Sequence, residues 1–359
     1  LEISCAVVNF NKRFILKDLS IITVNYRSWD KLAQCLDSLS AINETYFSFE
    51  VIVVDNASND GRLSKFKQLY PQFNFILNEG NYGFANGNNR GAAAARGKYL
   101  LFLNPDAIIS EKALLSMHDQ AKVSRANSVI SCRQIRQNGT EDKPFGSFPS
   151  PLTLTGWTRA LAKLLNLNSK IRQNERLIFP DWVSGSVVMM SYTTFNSIGK
   201  WNESYWMYYE DVDLCQRARA LGGAVILVKS VAVIHNHGGS SRADSETTAL
   251  TKAEVNISRH TYVSLHEKGL RNILMQLFLM IDNLIFGLLT AIPGFLLFFN
   301  KRLNTSTRVY FKMINYYLSS LVNNTWISAR SVLHPGNVVV EKRQEINIIQ
   351  MNATNTQRA

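Results

Sequence analysis

The sequence predicts a doubly wound α/β sheet, mostly parallel, with an apolar helical segment behind it. Three observations carry that expectation. Apolar runs alternate with helix-like segments through about residue 122. Three of those runs end in polar residues. The apolar content then concentrates again between Ile273 and Phe299. Strand–helix–strand alternation builds a parallel sheet with helices on both faces.

Taken in order, "LSIITVNY" (19–26) is a continuous apolar run, as a strand covered on both faces requires. Ser28 stands where a cap belongs, before a helix that aligns Leu32, Leu36 and Leu39. "FEVIVVD" (49–55) is the second strand, followed by a helix near 61–70, and "FNFIL" (73–77) is the third. "FANGNNRGAAAARG" (84–97) reads as a helix, "KYLLFLNPD" (98–106) as the fourth strand, and "SEKALLSMHDQAK" (110–122) as a helix opened by Ser110. Residues 134–180, richer in Pro, Gly and polar residues, read as an insertion. "WVSGSVVMM" (182–190) returns as a strand and "GAVILVKSVAVIH" (223–235) as a pair of strands. An early run, "SCAVVNF" (4–10), echoes "SIITVNY" without a following helix, so residues 1–18 form an extension with at most an extra edge strand.

Apolar residues make up 46% of the 359 and charged residues 18%, which excludes global disorder. The net charge of +12 favours an anionic partner. No basic–aromatic interleaving of the kind that reads nucleic acid is present, so a phosphorylated ligand or an acidic membrane surface fits better. Cys5, Cys35, Cys132 and Cys215 are scattered without a Cys-x-x-Cys pair, which speaks for buried thiols in a reducing compartment. The first twenty residues do not read as a secretion signal.

The run from Ile273 to Phe299 is long enough for a membrane span, yet Asp282 and Pro293 interrupt it. A buried core helix would look similar, but a membrane-embedded or interfacial segment fits better. Val309, Met313, Ile314, Tyr317, Leu318 and Leu321 then recur at helical spacing, with Arg308 and Lys312 nearby. That pattern suits a helix on a membrane surface, or one packed on the domain before it. The simplest partition is an extension to 18, an α/β domain over 19–241, a helical membrane-associated region over 242–335, and a polar tail over 336–359.

Ligands of doubly wound sheets bind beyond the carboxyl ends of the strands. Asn25, Asp55 and the stretch from Asn104 to Asp106 stand at three such ends, and His235 at a fourth. Alone, Asp55 reads equally well as a turn residue. A divalent metal changes that weighing: Mg²⁺ or Mn²⁺ takes one or two protein groups plus ligand phosphates, and Mn²⁺ accepts imidazole. Asp106 with His235, or with His237 as a second choice, could hold such an ion against a diphosphate. Further on, "MYYEDVDLCQR" (207–217) sets Glu210, Asp211 and Asp213 after a cluster of aromatics. Acids in a first turn and Arg217 and Arg219 in a last one also satisfy a helix dipole without any chemistry.

Together "SIITVNY", "VIVVDNASNDG", "NYGFANGNNRG", "YLLFLNPDA", "DWVSGS", "WNESYWMYYEDVDLCQRAR" and "VIHNHGGSS" resemble the family-2 glycosyltransferases over residues 19–241, most closely the rhamnosyltransferase-like branch of bacterial polysaccharide assembly. The resemblance implies a GT-A fold and inversion at the anomeric carbon in one displacement. It places Thr23 and Asn25 at the nucleobase, Asp55 at the base or ribose, and Gly83, Asn88 and Asn89 near the nucleoside and diphosphate. "NPD" stands where the family more often has Asp-x-Asp, so Asp106 matches the last acid and Asn104 replaces the first; that departure leaves metal use open. His235 matches a metal ligand, and Trp182, Ser184 and Gly185 border acceptor and donor sugar. Asp211 matches the catalytic base, with Glu210 beside the acceptor.

The implied reaction moves a sugar, by branch L-rhamnose, from a nucleotide-diphosphate donor to a polyprenyl-diphosphate-linked saccharide at the cytoplasmic face of the plasma membrane, in O-antigen or capsule biosynthesis. Two other classes are open to the same residues. A sugar nucleotidyltransferase would need a Gly-rich loop after the first strand, where "VNYRSWD" stands instead. An inactive membrane scaffold would have no need of "EDVD".

Overall fold

A computed structural model describes residues 17–43, 45, 47–151, 153–165, 171–235, 244–297 and 301–337. The early "SCAVVNF" run, Cys5, His237 with the Gly-Gly-Ser-Ser that follows it, and the tail from 338 lie outside the described residues.

The first half alternates as its apolar pattern predicts: β1 (Lys17–Asn25), α1 (Trp29–Ser40), β2 (Phe49–Asp55), α2 (Arg62–Leu69), β3 (Asn74–Leu77), α3 (Gly83–Ala94), β4 (Gly97–Leu103), β5 (Ala107–Ile108) and α4 (Glu111–Val123). The second half continues with β6 (Val129–Ile135), β7 (Glu141–Asp142), β8 (Phe145–Gly146), α5 (Gly156–Leu164), β9 (Arg172–Gln173), β10 (Leu177–Phe179), β11 (Trp182–Val183), β12 (Val187–Ser191), α6 (Tyr192–Ser197), α7 (Glu210–Ala220) and β13 (Val225–His235). Four helices close the described chain: α8 (Ser245–His266), α9 (Gly269–Ile281), α10 (Gly287–Leu296) and α11 (Lys301–Asn323). A π-helical turn, Asp282–Phe286, joins α9 to α10.

The main sheet runs β3-β2-β1-β4-β12-β6-β13-β10-β9. Its first four strands are parallel, β12 is antiparallel to β4, and β6 and β13 pair in parallel. The sheet is therefore mixed. β1 lies between β2 and β4, so its helical connections leave on opposite faces and open a crevice at its carboxyl end. Alternating side chains feed two cores. Leu19, Ile21, Val51, Val53 and Leu101 pack with α1 and α4 on one face. Ile22, Ile52, Val54, Leu100 and Phe102 pack with α3 and α7 on the other.

Several expectations need correction. Ser28 occupies the cap position, but its side chain bonds Tyr26 O instead of a helix amide, so the cap is made by its backbone carbonyl. Ser110 does cap α4, accepting from Ala113 N–H at 3.3 Å. "WVSGSVVMM" is two strands broken at Ser184–Ser186, and the expected pair over 223–235 is one strand with an irregularity between Val228 and Ala232. The segment read as an insertion holds an amphipathic helix, α5.

In the helical region, α11 packs on α8 and α10 and turns Met313 and Tyr317 inward, while Leu318 and Leu321 stay exposed. Arg308 and Lys312 pair with Glu246 of α8, at 2.8 and 2.5 Å, and this favours the packed reading of α11. Gly269–Gly294 is continuous, and it is the one helix among the described residues long and apolar enough to cross a membrane by length and composition.

Candidate active site

Parallel register sets Asn25 beside Asp55 at the ends of β1 and β2. The Asn25 amide donates to Asp55 Oδ1 at 3.2 Å, and its carbonyl oxygen accepts from Ser28 N–H. Asp55 also accepts from the Ser58 hydroxyl and, at 3.3 Å, from Ser58 N–H. Both residues are buried. Thr23 is fully buried behind them and donates to Leu103 O at 2.8 Å, so its hydroxyl ties β1 to β4 instead of lining a pocket.

Helix α3 begins where backbone meets backbone. Gly83 has φ +90°, and a Cβ there would stand 2.0 Å from Trp206 O, so only glycine fits. Asn88 bonds Phe84 O within its own helix. Asn89 donates to Trp201 O and Glu203 Oε1 at 2.9 and 2.7 Å. Asn89 therefore ties α3 to the 201–206 segment, whereas the Asn88 amide bonds back within its own helix.

The pair expected to hold a metal is brought together. His235, at the end of β13, places Nε2 3.2 Å from Asp106 Oδ1 and 3.4 Å from the Asn104 amide nitrogen. Its Nδ1 lies 2.9 Å from Gln134 Oε1, while the Gln134 amide nitrogen donates to Ser186 Oγ. With the Gln134 amide nitrogen turned to Ser186, its Oε1 is placed to accept from His235 Nδ1–H, and Nε2 faces the Asp106 carboxylate. One imidazole nitrogen and one carboxylate facing each other fit two positions of a divalent ion. Among the described residues no third His, Cys, Asp or Glu joins them, so other donors would come from a ligand or water. Gln134 escaped the sequence reading, although a glutamine in the buried phase of "VISCRQI" was a usable signal.

Asp211 is built from a turn and a helix start. The β11–β12 turn aims Gly185 N–H at Asp211 Oδ2, 3.0 Å away, and Oδ1 accepts from Val212 N–H at 2.8 Å. A Cβ on Gly185 would come 3.4 Å from the Asp211 Cβ, so the turn and the helix approach closely there. Tyr208 and Tyr209, just before α7, both have positive φ, 73° and 68°. Left-handed backbone in bulky residues costs of order 1–3 kcal/mol each and is found at functional turns. Ser184 and Ser186 share a 3.0 Å hydroxyl contact, and the Trp182 indole donates to Ser147 O.

Burial pushes the Asp211 carboxyl above its ordinary value, against the pull of the Gly185 and Val212 amides. Glu210 is pushed up further, by burial first and by the Asp211 charge second, and its Oε2 has no hydrogen-bond partner among the described residues. Burial and, second to it, the Asp211 charge thus both favour the neutral form of Glu210. Asp213 faces away from both, pairing with Arg217 at 2.7 Å and with His266 of α8 at 2.7 Å. His266 is the other partner the sequence reading missed. The aromatics also divide. Trp201, Tyr205 and Trp206 are buried, and Tyr208 and Tyr209 are partly open. Burial pushes the Cys35, Cys132 and Cys215 thiols up to about 12, which leaves none of them a nucleophile.

A mixed sheet flanked by helices, with polar strand ends around one crevice, defines an α/β enzyme of the GT-A kind. The chain belongs to glycosyl transferase family 2, whose pattern matches residues 20–181. It is 30% identical over 229 residues to the low-salt glycan biosynthesis hexosyltransferase Agl10 of Haloferax volcanii, covering 62% of this chain and 68% of that one. Rhamnosyltransferase WbbL of Escherichia coli is 28% identical, over 60% of this chain and 82% of its own. The N-acetylglucosaminyl-diphospho-decaprenol L-rhamnosyltransferase of Mycobacterium tuberculosis is 27% identical, over 63% and 78%.

Proposed function

We propose that this glycosyltransferase inverts the anomeric carbon of a nucleotide-diphosphate sugar, L-rhamnose being the favoured donor, onto a polyprenyl-diphosphate-linked saccharide. Asp211 is the general base. The observation that carries this reading is the Asp211 carboxylate itself, partly open, oriented by Gly185 and Val212 amides and made more basic by burial. An acceptor hydroxyl is a poor nucleophile, and a positioned carboxylate that takes its proton contributes roughly 10²–10⁴-fold. Two of the relatives are named as rhamnosyltransferases, and one of those names carries a decaprenol-diphosphate acceptor; both support the donor and acceptor classes.

Asp55 and Asn25 would receive the nucleoside at the β1–β2 strand ends. Asp106 and His235 would hold Mg²⁺ or Mn²⁺, which when bound neutralises charge on the departing diphosphate. Gln134 keeps His235 in the tautomer that offers Nε2. Gly185, Ser184 and Trp182 would border the two sugars, and protonated Glu210 supports the start of α7.

The acceptor's lipid supports a membrane-surface location, and the exposed apolar side chains of Gly269–Gly294 give the protein the means to lie there. Asp282 and the buried Asn283–Tyr317–His260–Gln276 network favour a helix lying in the interface over one that spans.

Transfer from a panel of nucleotide sugars to a short polyprenyl-diphospho-N-acetylglucosamine, with and without Mn²⁺, tests the reading. Activity with a deoxythymidine-diphosphate rhamnose donor, lost in Asp211→Asn, is expected. Full transfer by that variant would overturn the assignment of the base.

A further inference from the structure

Beyond the crevice, the described residues enclose a cavity of about 500 Å³ between α5, α8, the π-helical turn, α10 and α11. Its walls are of two kinds. Lys252 and Arg259 of α8 supply positive charge, with Asn256 beside them; Trp157, Phe286 and Tyr310 supply apolar surface. Asp282 is the single acid in the lining and is bonded by the Trp157 side chain, so the cations outnumber it two to one.

Arg259 is only half used. Its Nη1 donates to Asn256 Oδ1 at 2.9 Å, whereas its buried Nε–H has no hydrogen-bond partner among the described residues. A guanidinium donor left unmatched in a half-buried site is costly, and an oxyanion would satisfy it. The cavity also opens beside an exposed apolar surface. Trp157 contacts Phe278 and Phe286, at ring-centroid distances of 5.5 and 5.6 Å, and so joins exposed Leu161 and Leu164 of α5 to the exposed face of α9 and α10.

We propose that this cavity binds the phosphate of an anionic membrane phospholipid, with Lys252 and Arg259 on the phosphate and the acyl chains leaving along Trp157 and Phe286. Phospholipid is favoured over a soluble phosphate because the cationic end is continuous with an apolar exit. The volume fits this as well, since it lies in the range of small-molecule sites and far exceeds one phosphate. The inference rests on the membrane-surface reading above, but it concerns a site separate from Asp211.

The test uses the full chain and short-chain ligands below their micelle concentration. Thermal unfolding is followed with dihexanoyl phosphatidylglycerol, inorganic phosphate or farnesyl diphosphate, since a ligand bound only by the folded state raises apparent stability. The expected result is a dose-dependent rise with phosphatidylglycerol, larger than with either other ligand. That rise is lost in Arg259→Gln, reduced in the exposed Lys252→Gln, and partly restored in Arg259→Lys. An equal rise with inorganic phosphate, a larger one with farnesyl diphosphate, or an undiminished rise in Arg259→Gln would each overturn the proposal. Vesicle flotation keeps the two readings apart. If the wild type ignores all vesicles the membrane reading fails, whereas wild-type flotation together with an unchanged Arg259→Gln response fails the pocket alone.

Discussion

Helix α1 hides Leu32, Leu36 and Leu39 completely, while the helix from Gly269 to Gly294 leaves Ile273, Leu277, Ile281 and Ile285 about half exposed. Both are built from the same kind of side chain. The first lies against a sheet that removes its apolar face from water; the second turns part of its surface inward, through Met275 and Leu279, and the rest outward. Exposed apolar surface on this scale marks a site of contact with another phase or partner. The sheet end of the molecule thus gathers polar groups at its strand ends, and the helical end carries an exposed apolar face. One carboxylate, Asp213, links them by pairing α7 with His266 of α8.

That division can be broken from either side. The largest effect is expected from Asp211→Asn, which should lower the transfer rate by roughly 10²–10⁴-fold while leaving melting temperature and vesicle binding unchanged. A rate loss accompanied by equal loss of fold would assign Asp211 to structure. Asp213→Asn should do the opposite, costing about 3 kcal/mol of stability because it strands a buried charge network, as read by urea unfolding. A smaller change is expected from replacing Ile273, Leu277 and Ile281 together by serine. Each half-exposed side chain has about 1 kcal/mol left to gain from burial. Vesicle affinity, read by flotation, should therefore weaken by roughly a hundredfold, while the acceptor-independent hydrolysis of donor sugar persists.

The smallest effect on transfer is expected from Glu210→Gln, whose consequence is for stability. A carboxyl whose folded-state value is raised holds its proton more tightly when folded, so it favours the folded state at low pH and costs stability as pH rises above the unfolded carboxyl value, about 4.3. The glutamine variant should therefore be more stable than wild type at neutral pH, with the difference vanishing in acid. An advantage that grew as pH fell would contradict a protonated Glu210. Raised Asp211 likewise sets the acid limb of transfer above the ordinary aspartate range.

Much of the sheet was legible because β1, β2 and β4 are continuous apolar runs, and a strand buried on both faces has little other way to be written. Asp55, Asp106 and His235 were legible as a group for a related reason: polar residues ending such runs must come to the same edge of a parallel sheet. The break at Ser184–Ser186 was read through, because a short Ser-Gly-Ser between apolar runs can also stand inside one strand; in the fold the turn brings Gly185 against α7. The internal bonds of Thr23, Asn88 and Asn89 were not legible, because a hydroxyl or amide in a motif looks the same whether it faces a ligand or a neighbouring carbonyl.

The sequence alone determined the α/β order, the family-like motifs, the strand ends that carry acids, and the existence of a long apolar helix, because these follow from local periodicity and residue type. The tertiary structure decided which carboxylate is held open and which is locked. Asp211 and Asp213 stand two residues apart on one helix, and nothing local separates them. Partners far away in the chain do so: the Gly185 amide for one, and His266 for the other. Burial and hydrogen bonding depend on what packs against a side chain, and that is fixed only when distant segments meet.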